Sequence, residues 1–511
     1  MTLPRLSLAT LDGHVPRTPD AVVPHDHALR EHHHGVSGPV VDPRGTRIGI
    51  VHLGVGAFHR AHQAVFTEDA AAAAGLDAWG ILGVTQRTRR VVDQLAPQDG
   101  LYGVLTKGRG ETSLRIIGSM RGVAFLREEH ERVLGAIAAP TTHVVTMTVS
   151  EKGYRRTSTG APDLADPDLA ADVDALRHEL AHGPSGEPVR SPVGALARGL
   201  ARRHAEHGAP LTVVCCDNMV DNGRVVAGLL DGVLDAVPGA GPLRAWLAAS
   251  VRFPVTMVDR ITPATNAAHR VEAAGLLGLT DEGLVVGEPF RQWVVEDAFA
   301  GPRPPWELAG ATLTGDVAPF ERAKLRLLNG AHSAIAYLGA LRGHRMIDEA
   351  MGDPDVVALA EQLMDEVMPT LQSPEGLDLR QYRAEILERF ANPAIGYRCL
   401  QVAGDGSQKL PIRVLGTVAD RLADGVVPVG GARAMAAWAV FVARGRDRTG
   451  RPLTLDDPLA PRLRGAAEGD DAGLAERMLE VREVFGDEVR GDPGFRVEFA
   501  AQVRDLLTLV P

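Results

Sequence analysis

The run 47–53, Arg-Ile-Gly-Ile-Val-His-Leu, ends in Gly54-Val55-Gly56, and an alanine-rich helical segment follows from Gln63 to Ala74. A short apolar strand, a glycine turn and a helix form the opening of a nucleotide-binding βαβ unit. The first glycine permits a tight turn, and the second lets the backbone approach a pyrophosphate. His59 stands where the fingerprint has its third glycine. Three more near-continuous apolar runs, 79–85, 143–149 and 211–216, read as parallel strands covered on both faces. Helical stretches at 128–138 and 191–205 lie between them.

Dinucleotide sites commonly carry an acid roughly 20 residues beyond the glycines, at the end of the second strand, to hold the ribose hydroxyls. Here the segment reads Val84-Thr85-Gln86-Arg87-Thr88-Arg89-Arg90 and contains no acid. Arginines at that point suit a 2′-phosphate. A solvated, arginine-rich helix start is the other reading, so both NAD and NADP stay open as cofactors.

Beyond about residue 320 the β-type runs nearly vanish. The stretches 323–341, 353–368, 378–390 and 432–443 carry helical spacing, separated by Pro- and Gly-containing breaks. The fold class expected is α/β: a Rossmann-type domain over 46–290, then a mostly α-helical domain over 291–511. Residues 1–45, rich in Pro, His and Asp, are expected to be an N-terminal arm. The histidines His25, His27, His32, His33 and His34 in it lack a ligand spacing and read as a solvated polar segment, so no metal is expected.

Composition narrows the classes. The chain has 511 residues and a formal net charge of −11, which argues against nucleic acid as a partner, because phosphate neutralisation needs a basic face. Three cysteines cannot build a disulfide framework, and no run approaches the roughly 18–20 apolar residues of a membrane span. With no apolar leader at the start, a cytoplasmic protein without membrane partners is expected.

Of the 54 basic residues only Lys107, Lys152, Lys324 and Lys409 are lysines. Where arginine is the default cation, a lysine that persists can do what a guanidinium cannot, such as losing its proton near neutral pH. The segment 321–333, Glu-Arg-Ala-Lys-Leu-Arg-Leu-Leu-Asn-Gly-Ala-His-Ser, places Lys324 ahead of Asn329 and His332 on a helix, with Glu321 three residues before the lysine. At about 100° per residue, Lys324 to Asn329 spans about 140° and Lys324 to His332 about 80°. A ligand lying along the helix could meet all three. A desolvated lysine can exchange a proton with an alcohol oxygen, while an amide and an imidazole hold the developing oxyanion. An amphipathic helix with a salt-bridged lysine is the alternative.

Seven blocks then stand in order: HLGVGAFHRAHQA (52–64), TVSEKGY (148–154), CCDNMVDNG (215–223), FPVTMVDRITPAT (253–265), EPFRQWVVED (288–297), KLRLLNGAHS (324–333) and DGSQKLP (405–411). In them the chain resembles the polyol-specific long-chain dehydrogenase/reductase, or mannitol dehydrogenase, family. The resemblance implies a metal-free oxidoreductase with a Rossmann-type N-terminal domain and a helical C-terminal one. It implies Lys324 as general acid/base, Asn218 and Asn329 as the oxyanion pair, His332 as a substrate hydrogen-bond partner, and Glu321 on a proton path. It further implies Asp259 and Lys409 at the substrate, and Gly54, Gly56, Phe58 and Arg60 at the cofactor.

The expected partner is a small sugar acid or polyol, taken by a monomer or small homo-oligomer. Within the family the block 405–413 favours a keto-uronate, D-fructuronate, reduced to the aldonate D-mannonate. Lys409 with Arg413 nearby could neutralise a carboxylate, which a neutral hexitol lacks. D-mannitol with D-fructose is the alternative pair.

Overall fold

The computed structural model describes residues 3–15 and 35–510, so the histidine cluster between 25 and 34 lies outside the described residues. Two compact units divide the chain, Met1–Val317 and Ala318–Pro511. The first unit therefore runs beyond the boundary expected near residue 290. The reason is a small sheet in which Gln292–Glu296 pairs antiparallel with Thr256–Asp259 and parallel with Thr312–Thr314.

The core of the first unit is a six-stranded, wholly parallel sheet. Its strands in chain order are Ile48–Leu53, Gly80–Thr85, Met120–Phe125, Val144–Met147, Leu211–Cys215 and Val251–Arg252. In space they run third, second, first, fourth, fifth, sixth. This is the doubly wound order of a dinucleotide-binding fold, with its switch point between the first and fourth strands. The strands expected from apolar runs all form, and helices Gln63–Ala74, His130–Ala138 and Pro192–Glu206 cross between them. Apolar side chains from both faces of the sheet are buried, among them Val51, Leu53, Val145 and Val213 on one side and Ile50, Val144 and Val214 on the other.

A four-stranded sheet was not legible in the sequence. It orders Gly35–Ser37, Thr112–Ile117, Tyr102–Lys107 and Val285–Gly287, with the hairpin 102–117 at its centre. The described residues 3–15 and 35–37 of the N-terminal segment join this part of the unit. Leu6, Leu11 and Val15 are buried with Leu105, Leu114 and Leu277, and Gly35–Ser37 pairs with Ser113–Arg115 in the sheet.

The second unit is helical. Ala331–Leu341, Pro354–Val367, Val429–Arg444 and Pro493–Leu507 pack on one another around Trp438, Phe441, Phe495 and Phe499. Among the described residues no helix is long and apolar enough to cross a membrane.

Candidate active site

In the first unit the strand Ile48–Leu53 ends on Gly54, whose φ is +106°. A Cβ at Gly54 would stand 2.1 Å from the carbonyl oxygen of Thr148, which follows the fourth strand. Only glycine lets the two strand ends approach this closely, and they flank the switch point. At Gly56 a Cβ would meet nothing nearer than 3.8 Å, so space opens above the turn. A tight turn, an open second glycine and a switch point beside it fit a dinucleotide pyrophosphate.

The position of the missing third glycine is explained by packing. The His59 ring lies flat on that of His52, with centroids 3.3 Å apart and planes 10° from parallel. Thr148 Oγ1 donates to the Gly54 carbonyl at 2.8 Å, so its 2.9 Å contact with His52 makes Nε2 of the histidine the donor. Nδ1 of His52 then accepts from Thr146 Oγ1 at 2.7 Å. Burial pushes His52 down to about 3 and His59 well below the usual imidazole range, so both rings are neutral.

Arg60 is buried, and its guanidinium donates to the carbonyls of Gly56, at 3.2 Å from Nε, and of Gly283. Its place is beneath the glycine turn, which it braces. Phe58 stacks on His62 at 4.9 Å.

Asn218 follows the fifth strand and is exposed. Its loop is fixed by Asp217, a residue that sequence reasoning passed over. Asp217 accepts from the backbone N–H groups of Val149 and Ser150, at 2.9 and 3.0 Å, and from the Tyr154 hydroxyl at 2.6 Å. Burial raises its carboxyl above the usual range, against the pull of those bonds. Asn222 extends the tie, since its Nδ2 donates to the carbonyls of Asp217 and Thr256, both at 3.0 Å. Both Asp217 and Tyr154 sit inside the blocks 215–223 and 148–154, which was the available signal. Asp259 ends the strand Thr256–Asp259, buried and paired in register with Gln292.

In the second unit the geometry around Lys324 corrects the expected angles. Residues Lys324–Gly330 form a π-helix between the α-helices Ala318–Ala323 and Ala331–Leu341. A π-helix bonds residue i to i+5, so each residue turns through less than the 100° of an α-helix. Lys324 and Asn329 are therefore one π turn apart, and the angle of about 140° expected from α-helical spacing does not apply. Both side chains are buried. The Nδ2 of Asn329 is buried with no hydrogen-bond partner among the described residues. Glu321 sits half-buried in the preceding helix.

A second π segment, Pro411–Leu415, packs on the first. Arg413 within it donates from Nη1 to Ser333 Oγ at 3.2 Å, and Ser333 Oγ donates to the Asn329 carbonyl at 3.0 Å. His332 stacks on Phe390 at 4.9 Å and leans on Tyr397 at 5.7 Å. The structure thus brings Lys324, Asn329, His332 and Arg413 onto two abutting helical segments. Lys409 lies on the adjoining helix Gly406–Leu410; its Nζ donates to the Gly404 carbonyl at 2.6 Å and is 3.6 Å from an Asp405 carboxylate oxygen. Among the described residues no three His, Cys, Asp or Glu side chains converge as metal ligands.

Residues 48–308 match the model of the mannitol dehydrogenase Rossmann domain, and residues 316–507 that of the mannitol dehydrogenase C-terminal domain. The D-mannonate oxidoreductase of Escherichia coli (strain K12) is 37% identical over 466 residues, covering 90% of this chain and 93% of the relative. A mannitol 2-dehydrogenase of Pyrenophora tritici-repentis is 36% identical over 480 residues, covering 92% and 82%. The solved Pseudomonas fluorescens mannitol 2-dehydrogenase, a ternary complex with NAD and D-mannitol, is 34% identical. It superposes with a TM-score of 0.79, covering 98% of this chain and 97% of that one.

Proposed function

The chain belongs to the mannitol dehydrogenase family, and on that premise we propose that it reduces the ketone of a keto-uronate, D-fructuronate, to the aldonate D-mannonate. The observation that carries the chemistry is the pairing of buried Lys324 with the unpartnered amide donor of Asn329 on one π segment. A buried donor with no partner is costly unless a ligand satisfies it, and a substrate oxygen would do so.

A reduced nicotinamide dinucleotide, of the type whose oxidised form NAD accompanies D-mannitol in the Pseudomonas fluorescens relative, would supply the hydride when bound. Lys324 gives its proton to the carbonyl oxygen as that oxygen becomes an alcohol, and takes it back in the reverse direction. The amide of Asn329, with Asn218 as the second amide, holds the oxygen while charge develops on it. His332 orients the neighbouring hydroxyl, its ring fixed by Phe390 and Tyr397. Glu321 hands protons between Lys324 and solvent. Asp259 takes substrate hydroxyls, and Lys409 with Arg413 takes the uronate carboxylate. Gly54, Gly56, Phe58 and Arg60 shape the cofactor turn.

A second reading, a D-mannitol/D-fructose pair, draws on the contacts of Lys409 with the Gly404 carbonyl and Asp405, which partly satisfy its charge without a substrate carboxylate. Cofactor oxidation followed at 340 nm with D-fructuronate and D-fructose separates the two. The uronate reading expects a clearly higher kcat/KM for fructuronate, and better turnover of fructose overturns it. The Lys324→Met variant should lose about 10²–10⁴-fold in turnover while still binding the dinucleotide. Turnover close to that of the parent enzyme would remove Lys324 from the chemistry.

A further inference from the structure

A pocket of about 170 Å³ opens beside the carboxyl ends of the second and fourth strands of the parallel sheet. Gln86, Arg87, Arg127, Lys152, Arg155 and Arg190 line it, and no carboxylate does. Gln86 and Arg87 come directly after the strand Gly80–Thr85; Lys152 belongs to the short helical turn Glu151–Tyr154 that follows the fourth strand.

The cations divide into two sets. Arg155 is paired with Asp166 at 2.9 Å and with Asp168 at 3.3 Å, and Arg127 with Asp168 at 3.3 Å. Among the described residues, Arg87, Lys152 and Arg190 have no ion pair. Three uncompensated cations therefore face one small cavity in a chain whose net charge is −11.

The place of this pocket in the fold decides what it can bind. In a doubly wound sheet of this strand order the end of the second strand meets the adenosine ribose, and an acid there accepts the 2′-hydroxyl. Here that position holds Gln86 and Arg87, and the first carboxylate downstream, Asp93, is bonded to Arg89 at 2.9 Å. Gln86 presents an amide in place of a carboxylate, and its buried Nε2 has no hydrogen-bond partner among the described residues. A carboxylate would repel a phosphate, whereas an amide donor and guanidinium groups attract one.

We propose that this pocket binds the 2′-phosphate of the adenosine half of the cofactor, so that the protein takes NADP(H) in preference to NAD(H). The inference rests on the reading of the chain as a nicotinamide-dependent oxidoreductase. It assigns Arg87, Lys152 and Arg190 as determinants of cofactor choice.

Calorimetric titration of the full chain with 2′,5′-ADP and with 5′-ADP tests it without turnover. The 2′-phosphate should tighten binding about ten- to a hundredfold, the range expected for hydrogen bonds to charged groups. The advantage should shrink as salt is raised from 50 to 500 mM, because these cations are exposed. In Arg87→Asp and Lys152→Gln variants the affinity for 2′,5′-ADP should fall towards that for 5′-ADP. Steady-state kcat/KM with NADPH and NADH should follow the same order. Equal affinity for the two nucleotides, or tighter binding of 5′-ADP, overturns the phosphate pocket and leaves the dinucleotide reading standing. Binding of neither nucleotide overturns both.

Discussion

Gly330 lies against the backbone of Arg413, so close that a Cβ on the glycine would stand 2.7 Å from the Arg413 carbonyl oxygen. The contact joins the π segment carrying Lys324 and Asn329 to the one carrying Arg413. Gly330 has ordinary helical angles, φ −64° and ψ −54°, so space rather than backbone conformation demands the glycine.

The Gly330→Ala substitution should therefore force the two segments apart while favouring helix locally. A displacement on the order of 1 Å at a reacting group costs about 10²-fold in rate. The expected outcome is a loss of kcat/KM of about tenfold to a hundredfold with the circular dichroism spectrum retained. Parent-like kinetics in the folded variant would show that the spacing of the two segments is immaterial to turnover.

Ser150 has φ +65° and ψ +159°, a region populated almost only by glycine. Its N–H is held on Asp217 Oδ1 at 3.0 Å, which fixes the strained residue beside the switch point. Ser150→Gly should relieve strain of about 1–3 kcal/mol, offset in part by the greater backbone freedom of glycine in the unfolded chain. Thermal denaturation should show an equal or higher midpoint. A clear fall would mean that the backbone here is not strained.

Asp217 supplies the anchor for that loop. Asp217→Asn keeps the shape but turns one acceptor into an NH₂ facing backbone N–H donors or the Tyr154 hydroxyl. The expected cost is about 1–3 kcal/mol for a buried group left unsatisfied. Dinucleotide affinity should weaken as well, because Val149 and Ser150 lie beside the glycine turn's partner Thr148. Urea unfolding and a nucleotide titration check the two effects. A variant unchanged in both would show that the carboxylate does not hold the loop.

How much of this was legible in the sequence follows from the range of the interactions. The parallel strands and the helix Gln63–Ala74 were readable because apolar runs and glycine turns are local signals. The sheet built on the hairpin 102–117 was not, since it pairs Gly35–Ser37 and Val285–Gly287 with that hairpin across long stretches of chain. The unit boundary was missed for the same reason, through the pairing of Thr256–Asp259 with Gln292–Glu296. The residues 324, 329 and 332 stood out by type and spacing, but the π geometry that relates them did not. No residue in 324–330 announces an i to i+5 ladder, nor the close approach of Gly330 to the second segment. Arg60 shows the converse. Its block marked it for the cofactor, while only the fold reveals that its guanidinium is spent on the carbonyls of Gly56 and Gly283.

The neutral histidines behind the glycine turn make stability depend on pH. His62 is fully buried, and burial pushes it down to about 3 even though its ring bonds the Gln292 carbonyl at 2.8 Å. In the unfolded chain the same side chain titrates near 6.5. Between those values the unfolded state holds a proton that the folded state does not. Stability from this group is therefore complete above about pH 6.5 and drains away as the pH falls. Once the pH is well below 6.5 the loss approaches about 1.4 kcal/mol per pH unit for each such histidine. A His62→Gln variant will be less stable at every pH through its lost contacts, but its curve should fall less steeply from pH 7 to pH 5 than that of the parent. Unfolding free energies measured across that range give the two slopes directly. Parallel curves would mean that His62 takes up its proton in the folded protein as readily as in the unfolded chain, which would overturn the neutral, buried ring bonded to Gln292.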